Sequence, residues 1–141
     1  MKALRVLVAP DSFKESLSAH DAAAALAAGL QAGELPIEVQ QLPLADGGEG
    51  TAAALLHALG GRWEAVRVKG PLGEPVEAAY GVLNDGTVVL EMAAASGLAL
   101  VPPERRNPLQ TTTYGTGQLL LHLLRRGYRR LIVGVGGSAT V

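Results

Sequence analysis

Apolar and polar residues follow two different patterns in the first half of this 141-residue chain. Short apolar runs at 4–9 and 37–42 predict buried parallel strands. Longer stretches rich in alanine and leucine at 22–30 and 51–59 predict helices, the first of which begins with Ser18 as a capping residue. The order strand, helix, strand, helix favours a parallel α/β layer.

The pattern changes after residues 70–75, where two prolines and two glycines mark a tight turn or a lobe boundary. Alternating residues and a turn sequence then predict a β-hairpin over 76–90. Leucines on one face predict a helix over 116–126, and the apolar run 131–135 predicts another buried strand.

These elements predict an α/β protein of two lobes. Residues 1–69 form the N-terminal part of a parallel-sheet lobe with helices on its faces, and residues 70–141 begin a second, mixed α/β lobe that contains the hairpin. The last strand opens into a glycine-rich loop that ought to lead into a helix. We therefore expect the second lobe to be incomplete and the sequence to be the N-terminal part of a longer chain.

Composition excludes several functional classes. Twelve lysines and arginines against 13 aspartates and glutamates leave no net field to hold nucleic acid or an anionic membrane. The absence of cysteine removes disulfides, thiolate nucleophiles and cysteine-ligated zinc, which suits a reducing cytoplasm. The three histidines lack zinc-ligand spacing, and no segment reaches the ~20 apolar residues that span a bilayer.

Residues 45–50, here called the glycine turn, place two carboxylates among three glycines between a strand and a helix. Gly47, Gly48 and Gly50 leave backbone N–H groups unshielded and permit a positive φ. Asp46 and Glu49 add acceptors suited to a hydroxyl-rich substrate or to Mg²⁺. An ordinary surface turn with helix-capping carboxylates is the alternative.

Polar residues also follow the first strand, at the edge where parallel α/β sheets bind ligands. Lys14 is the candidate to meet phosphate oxygens, and Asp11 and Ser12 could orient it or bind substrate. The alternative is a connecting loop with a solvated lysine.

Residues 111–117, the threonine segment, gather hydroxyls and two glycines before an apolar helix. Hydroxyls and N–H groups at a helix N-terminus favour an anion such as phosphate or carboxylate, with one threonine serving as the N-cap. The candidate ligand-binding residues here are Thr113, Tyr114, Gly115 and Thr116.

Residues 136–140, the C-terminal loop, repeat this chemistry in Gly136, Gly137 and Ser138. Gly134 and Gly136, followed by Ala139, also fit a loose dinucleotide fingerprint, which leaves an oxidoreductase as a minor alternative. The segment 91–98 is rich in alanine, which packing explains, and leaves the roles of Glu91 and Ser96 open.

The chain resembles the bacterial glycerate kinase family over its whole length. Seven segments carry the resemblance in order: residues 9–18, 45–50, 70–73, 91–98, 106–108, 111–117 and 136–140. It implies magnesium-dependent phosphorylation of D-glycerate by ATP, giving 2-phosphoglycerate, in a cytoplasmic enzyme with its site in a cleft between two α/β lobes. Lys14 and Asp46 are then the candidate catalytic residues.

In that family the second lobe is inserted into the first, and an Asn-Asp-Gly-Gly sequence follows the equivalent of residues 136–140. Val141 stands where the asparagine would be. A non-catalytic fragment that binds a ligand or another chain is therefore the alternative function. The expected partner is a small-molecule substrate, D-glycerate. Exposed sheet edges also suggest that the chain forms a homo-oligomer.

Overall fold

The computed structural model describes residues 3–13 and 16–140, which form two compact units, Met1–Asp46 and Gly47–Val141. Each unit contains one β-sheet, parallel in the first and mixed in the second. The α/β class is therefore confirmed. No helix within the described residues is both long and apolar enough to cross a membrane.

The first unit is a strand–helix–strand motif, as predicted. Strand β1 (Leu4–Val8) pairs in parallel with β2 (Ile37–Gln41), and helix α1 (Ala19–Gln31) connects them. The backbone pairing continues past the strands, since the N–H of Leu44 donates to the carbonyl of Pro10 at 2.9 Å. The segments that follow β1 and β2 therefore run side by side.

Helix α1 begins with the cap that its sequence predicts. The hydroxyl of Ser18 accepts the N–H of Asp21 at 3.1 Å and donates to the Asp21 carboxylate at 2.7 Å. A cap of this kind typically stabilises a helix by about 1 kcal/mol. The buried face of α1 consists of small side chains: Ala22, Ala23 and Ala27.

The second unit is built on a four-stranded sheet in the order β3 (Gly61–Lys69), β4 (Pro75–Leu83), β5 (Val88–Glu91) and β6 (Leu131–Gly134). The first three strands are antiparallel, whereas β5 and β6 are parallel. Pairing of β4 with β5 confirms the hairpin predicted over 76–90.

Helices cover both faces of this sheet. Helices α3 (Ala93–Ser96) and α4 (Tyr114–Arg125) pack on one face, around a buried core that includes Tyr80, Val88, Leu90, Leu119 and Leu123. Helix α2 (Thr51–Leu59) packs on the other face over Leu83 and Val89. The first three residues of β5 are therefore buried between the two layers of helices, which explains the apolar run Val88–Leu90.

The compact units divide earlier than the lobe boundary expected at residue 69. Residues 70–74 form a hairpin turn, in which the N–H of Gly70 donates to the carbonyl of Glu74 at 2.6 Å. Strand β3 pairs with β4 along its whole length, and α2 packs on the same sheet, so both belong to Gly47–Val141. The division of the longer protein into lobes at residue 69 stays a prediction.

Candidate active site

The candidate segments of the second unit meet at the carboxyl ends of β5 and β6. Glu91 pairs with Gly134 at the end of the two strands, and the N–H of Met92 donates to the Gly134 carbonyl at 2.8 Å. Parallel α/β sheets bind ligands outside such an edge. Three segments selected from the sequence reach it: residues 47–50 of the glycine turn, the threonine segment and the C-terminal loop.

Residues 47–50 lie directly against the C-terminal loop. The N–H of Gly136 donates to the Gly47 carbonyl at 3.0 Å. A Cβ at Gly134 would lie 2.5 Å from that carbonyl oxygen, and a Cβ at Gly136 would lie 2.7 Å from the Cα of Gly48. Backbone packing therefore accounts for both glycines of the loose dinucleotide fingerprint, without a dinucleotide.

Two glycine N–H groups expected to be exposed are used inside the protein. The N–H of Gly47 donates to the hydroxyl of Thr51 at 3.1 Å, and that hydroxyl donates to the Gly48 carbonyl at 2.8 Å. The N–H of Gly136 is bonded to Gly47 as described above. The expectation that these N–H groups are unshielded is therefore wrong, because the turn closes on itself and on the neighbouring loop.

The positive φ predicted for the glycine turn is confirmed at Gly47 (94°) and at Gly50 (96°). Gly50 is the N-cap of α2 and has no side chain to cap the helix. The carboxylate of Glu91 accepts the N–H of Ala52 at 2.8 Å, although the two residues are 39 positions apart. Glu49 is exposed on the turn, where its carboxylate can meet a ligand.

The backbone of Ala139 fixes the C-terminal loop through both of its polar groups. Its N–H donates to the Ser96 carbonyl at 2.9 Å, and its carbonyl accepts the hydroxyl of Thr111 at 2.7 Å. The Gly137 carbonyl accepts the N–H of Leu98 at 2.9 Å. These contacts join the C-terminal loop to the segments around α3 and α4.

The hydroxyl of Ser138 caps the end of this loop. It lies 2.8 Å from the Thr140 hydroxyl and accepts the Thr140 N–H at 3.0 Å. Gly137, beside it, has a φ of +73°. Ser138 and Gly137 thus lie in a loop of fixed shape next to residues 47–50, and their contact with a ligand stays a prediction.

The threonine segment divides into packed and exposed residues. A Cβ at Gly115 would lie 1.7 Å from the Lys69 carbonyl oxygen. The buried hydroxyl of Thr116 lies 2.8 Å from that of Ser96. Gly115 and Thr116 therefore hold α4 against β3 and α3, and a ligand-binding role for them stays a prediction.

Thr113 occupies the N-cap position of α4, but its side chain makes no cap hydrogen bond. The hydroxyl of Thr112 instead accepts the Tyr114 N–H at 3.1 Å. Tyr114 is 58% exposed, and the ammonium of Lys69 lies 5.4 Å from its ring centroid. Of the four candidate residues of this segment, Thr113 and Tyr114 are the exposed ones. Lys69 is a cation beside Tyr114 that sequence reasoning did not select.

In the first unit, candidate residues follow the carboxyl ends of both parallel strands. Asp11 and Ser12 follow β1, and the Ser12 N–H donates to the Asp11 carboxylate at 2.6 Å. Asp46 follows β2 and is exposed, like Asp11. Lys14, the predicted phosphate ligand, lies outside the described residues.

A second polar cluster joins β3, β4 and the end of α4. Tyr80 is fully buried and donates to Glu64 at 3.0 Å, while Arg126 donates to both Glu64 and Tyr80. Arg62 also binds the Glu64 carboxylate, at 2.8 Å. Burial acts to raise the pKa of Glu64, but the hydrogen bonds from Tyr80, Arg126 and Arg62 together lower it below its ordinary value. We assign this cluster to stability.

A metal cage is absent from the described part of the chain, where no three histidine, aspartate or glutamate side chains come together. Mg²⁺ at phosphoryl-transfer sites usually needs only one or two carboxylates, because the nucleotide phosphates and water supply its other ligands. The exposed carboxylate of Glu49, on a turn of defined shape, is a donor of that kind. The residues therefore fit a nucleotide-bound Mg²⁺.

Comparison with known proteins identifies related sequences. Residues 6–141 match the glycerate kinase family. The chain is 54% identical over 138 residues to a glycerate kinase of Bacillus subtilis, and 49% identical over 138 residues to the glycerate 2-kinase of Escherichia coli K12. Each alignment covers 97% of this chain and 36% of the relative. The chain thus spans about a third of the length of these curated relatives.

A solved structure agrees with the sequence comparison. The crystal structure of a protein described as glycerate kinase 2 from Salmonella typhimurium LT2 superposes on this chain with a TM-score of 0.73 at 50% sequence identity. The superposition covers 98% of this chain and 38% of that protein. The fold described above is therefore similar to part of a larger structure.

Proposed function

The chain belongs to the glycerate kinase family, and from this premise we propose that the whole protein transfers the γ-phosphate of ATP to D-glycerate and releases 2-phosphoglycerate. The observation that carries the proposal is the family match, which runs from residue 6 to residue 141. The convergence of three candidate segments at the carboxyl edge of β5 and β6 supports it.

Phosphoryl transfer requires positioning and charge neutralisation more than covalent participation by the protein. Lys14 neutralises charge on the transferred phosphate. Asp46 accepts hydrogen bonds from the glycerate hydroxyls, and Asp11 and Ser12 support it from the neighbouring segment. What supports these roles is that the four residues follow β1 and β2 in the sequence, since parallel α/β sheets bind ligands beyond the carboxyl ends of their strands.

In the second unit, considered by itself, further residues are candidates to contact the substrates. Glu49 is an exposed carboxylate of the glycine turn, and Ser138, Thr113 and Tyr114 offer hydroxyls to the carboxylate of glycerate or to the nucleotide. Since the N–H groups of Gly47 and Gly136 are bonded internally, these glycines act by bringing the two loops together. Gly48, Gly115, Thr116 and Gly137 complete the candidate set.

Magnesium would be held by Glu49 together with the phosphates of ATP. When bound, the ion neutralises negative charge that accumulates on the phosphates during transfer. The protein's own contribution is to keep Glu49 on a turn whose backbone is fixed by Thr51 and Gly136.

We place the enzyme in the cytoplasm, where ATP is available, with small molecules as its substrates. We also propose that the 141-residue chain by itself is an inactive fragment that associates with further copies. Leu4 and Leu7 of the first sheet are more than half exposed, and Val135 beyond β6 is 70% exposed. Apolar residues on incompletely covered sheets favour association.

The test is ADP release by the whole protein in the presence of magnesium and ATP. We expect saturable ADP release that requires D-glycerate, with little release when L-glycerate replaces it. ADP release at the same rate with and without D-glycerate would contradict the proposal. Turnover by the 141-residue chain alone would contradict only the proposal that it is an inactive fragment.

A further inference from the structure

The glycine turn leads into α2, a helix that begins without a side-chain cap of its own. The N-cap is Gly50, in a left-handed conformation, and the first helical side chain, Thr51, is bonded back to Gly47 and Gly48. A helix start leaves backbone N–H groups without intrahelical partners, and these need acceptors from elsewhere. Glu91 supplies one to Ala52, at 2.8 Å.

Glu91 is held firmly enough to act as such an anchor. It is the last residue of β5, a strand paired on both sides and buried on both faces, and it pairs with Gly134 of β6. A Cβ built on Gly134 would be in ordinary van der Waals contact with the Cγ of Glu91, at 3.6 Å, so the Glu91 side chain lies beside this glycine. The carboxylate therefore projects from rigid structure.

Two hydrogen bonds thus attach the glycine turn to the ends of the parallel strands. The N–H of Gly136 donates to the Gly47 carbonyl within the turn, and the Glu91 carboxylate accepts the Ala52 N–H just beyond its end. Residues 48–50, which include Glu49, span the interval between these two attachments. Within this interval Thr51 also binds Gly47 and Gly48, and the bond to Glu91 adds an attachment of the far end of the segment to β5.

We infer that Glu91 is a positioning residue for phosphoryl transfer, which sets the conformation of the glycine turn by accepting the Ala52 N–H. The inference rests on the proposed function of this edge of the sheet. Glu91 touches neither substrate in this account; it acts through Glu49 and Gly48. To hold the turn, residue 91 needs an acceptor atom at the distance that the glutamate side chain spans. The negative charge adds only a favourable interaction with the start of α2.

Three substitutions of Glu91 in the whole protein separate the effect of side-chain length from the effect of charge. Glu91→Gln keeps an oxygen at the same distance and loses the charge. Glu91→Asp keeps the charge but is one methylene shorter, and Glu91→Ala loses both. Glu77→Ala, at an exposed carboxylate of β4, is the matched control. The measurements are kcat/KM for D-glycerate and deuterium uptake by the peptide that contains residues 47–54.

We expect Glu91→Asp and Glu91→Ala to lower kcat/KM by about tenfold or more and to speed deuterium uptake in residues 47–54, because small displacements of a positioned group are costly. Glu91→Gln should stay within about threefold of the wild-type value. Glu77→Ala should match the wild type in both measurements.

Loss of turnover in Glu91→Gln, with uptake as slow as in the wild type, would overturn the inference, since the charge itself would then be required. Unchanged turnover and uptake in Glu91→Asp would also overturn it. A wild-type protein that does not phosphorylate glycerate would refute the proposed function. Deuterium uptake in the Asp and Gln variants would then still decide whether Glu91 holds the turn.

Discussion

Gly115, in the first turn of α4, lies directly beneath the carbonyl of Lys69 at the end of β3, so close that a Cβ on Gly115 would be 1.7 Å from the carbonyl oxygen. No side chain can occupy that position unless the backbone moves. The contact fixes the distance between α4 and the sheet. It also explains a glycine near the start of a helix, where glycine ordinarily costs stability.

Gly115→Ala should therefore destabilise the whole protein by several kcal/mol, at the upper end of what single substitutions do, because the clash is with backbone. Gly117→Ala, two residues later in the same helix, is the control, since a Cβ there has no atom within 4 Å. It should be neutral or stabilising by about 0.5–1 kcal/mol. Thermal denaturation measures the stability of both variants. Equal melting temperatures would show that the backbone at the start of α4 moves at little cost to accommodate a Cβ.

Glu64→Gln should leave kcat unchanged, as we expect from its position on a strand away from the candidate segments, but it should reduce stability. The carboxylate accepts hydrogen bonds from Tyr80, Arg62 and Arg126. Sequence alone gave no sign of this cluster, because its members lie on two strands and at the end of a helix.

The contribution of Glu64 to the free energy of unfolding depends on pH. The folded-state pKa of Glu64 is lower than the ordinary value of 4.5, so its ionisation stabilises the fold above about pH 4.5. That contribution is lost as the pH falls through the folded-state pKa. The difference in unfolding free energy between wild type and Glu64→Gln should therefore shrink on acidification, whereas a constant difference would show that the charge is not involved.

Lys14→Ala should lower kcat for glycerate phosphorylation by about 100-fold or more in the whole protein, because the ammonium neutralises charge on the transferred phosphate. Lys14→Arg should restore little, since the planar guanidinium differs in shape and hydration. Arg5→Ala, at an exposed residue of β1, is the control for loss of a cation. A folded Lys14→Ala protein with wild-type kcat would contradict the proposal that Lys14 binds the transferred phosphate.

The 141-residue chain should self-associate and show no glycerate kinase turnover. Its first sheet has two strands within the described residues and leaves Leu4 and Leu7 largely exposed. Size-exclusion chromatography with light scattering checks the mass. A monodisperse monomer with a cooperative melting transition and measurable turnover would instead identify a minimal enzyme.

Local patterns in the sequence predicted most of the elements correctly. The helix over 51–59 has the predicted bounds, and the hairpin over 76–90 and the Ser18 cap are confirmed. These features depend on neighbouring residues, which a sequence displays directly. Pairing of β3 with β4 was missed, because the turn at 70–74 reads equally well as a boundary.

The candidate site was predictable only in part, because its segments are brought together by contacts between residues distant in the sequence. Glycine-rich and hydroxyl-rich segments could be selected locally. Their convergence at the carboxyl edge depends on the pairing of β5 with β6, a strand distant in the sequence. The bond from Ala52 to Glu91 spans 39 positions and leaves no local signal. Sequence reasoning therefore found the ligand-facing candidates more readily than the residues that hold them.

The identity of the product tests the central claim most directly. The whole protein, with magnesium, ATP and D-glycerate, should give a new phosphomonoester signal in the ³¹P NMR spectrum, split into a doublet by the single proton on C2 of 2-phosphoglycerate. A triplet from the two protons on C3 would contradict the proposed regiochemistry. Release of inorganic phosphate, with no phosphomonoester formed, would contradict glycerate phosphorylation altogether.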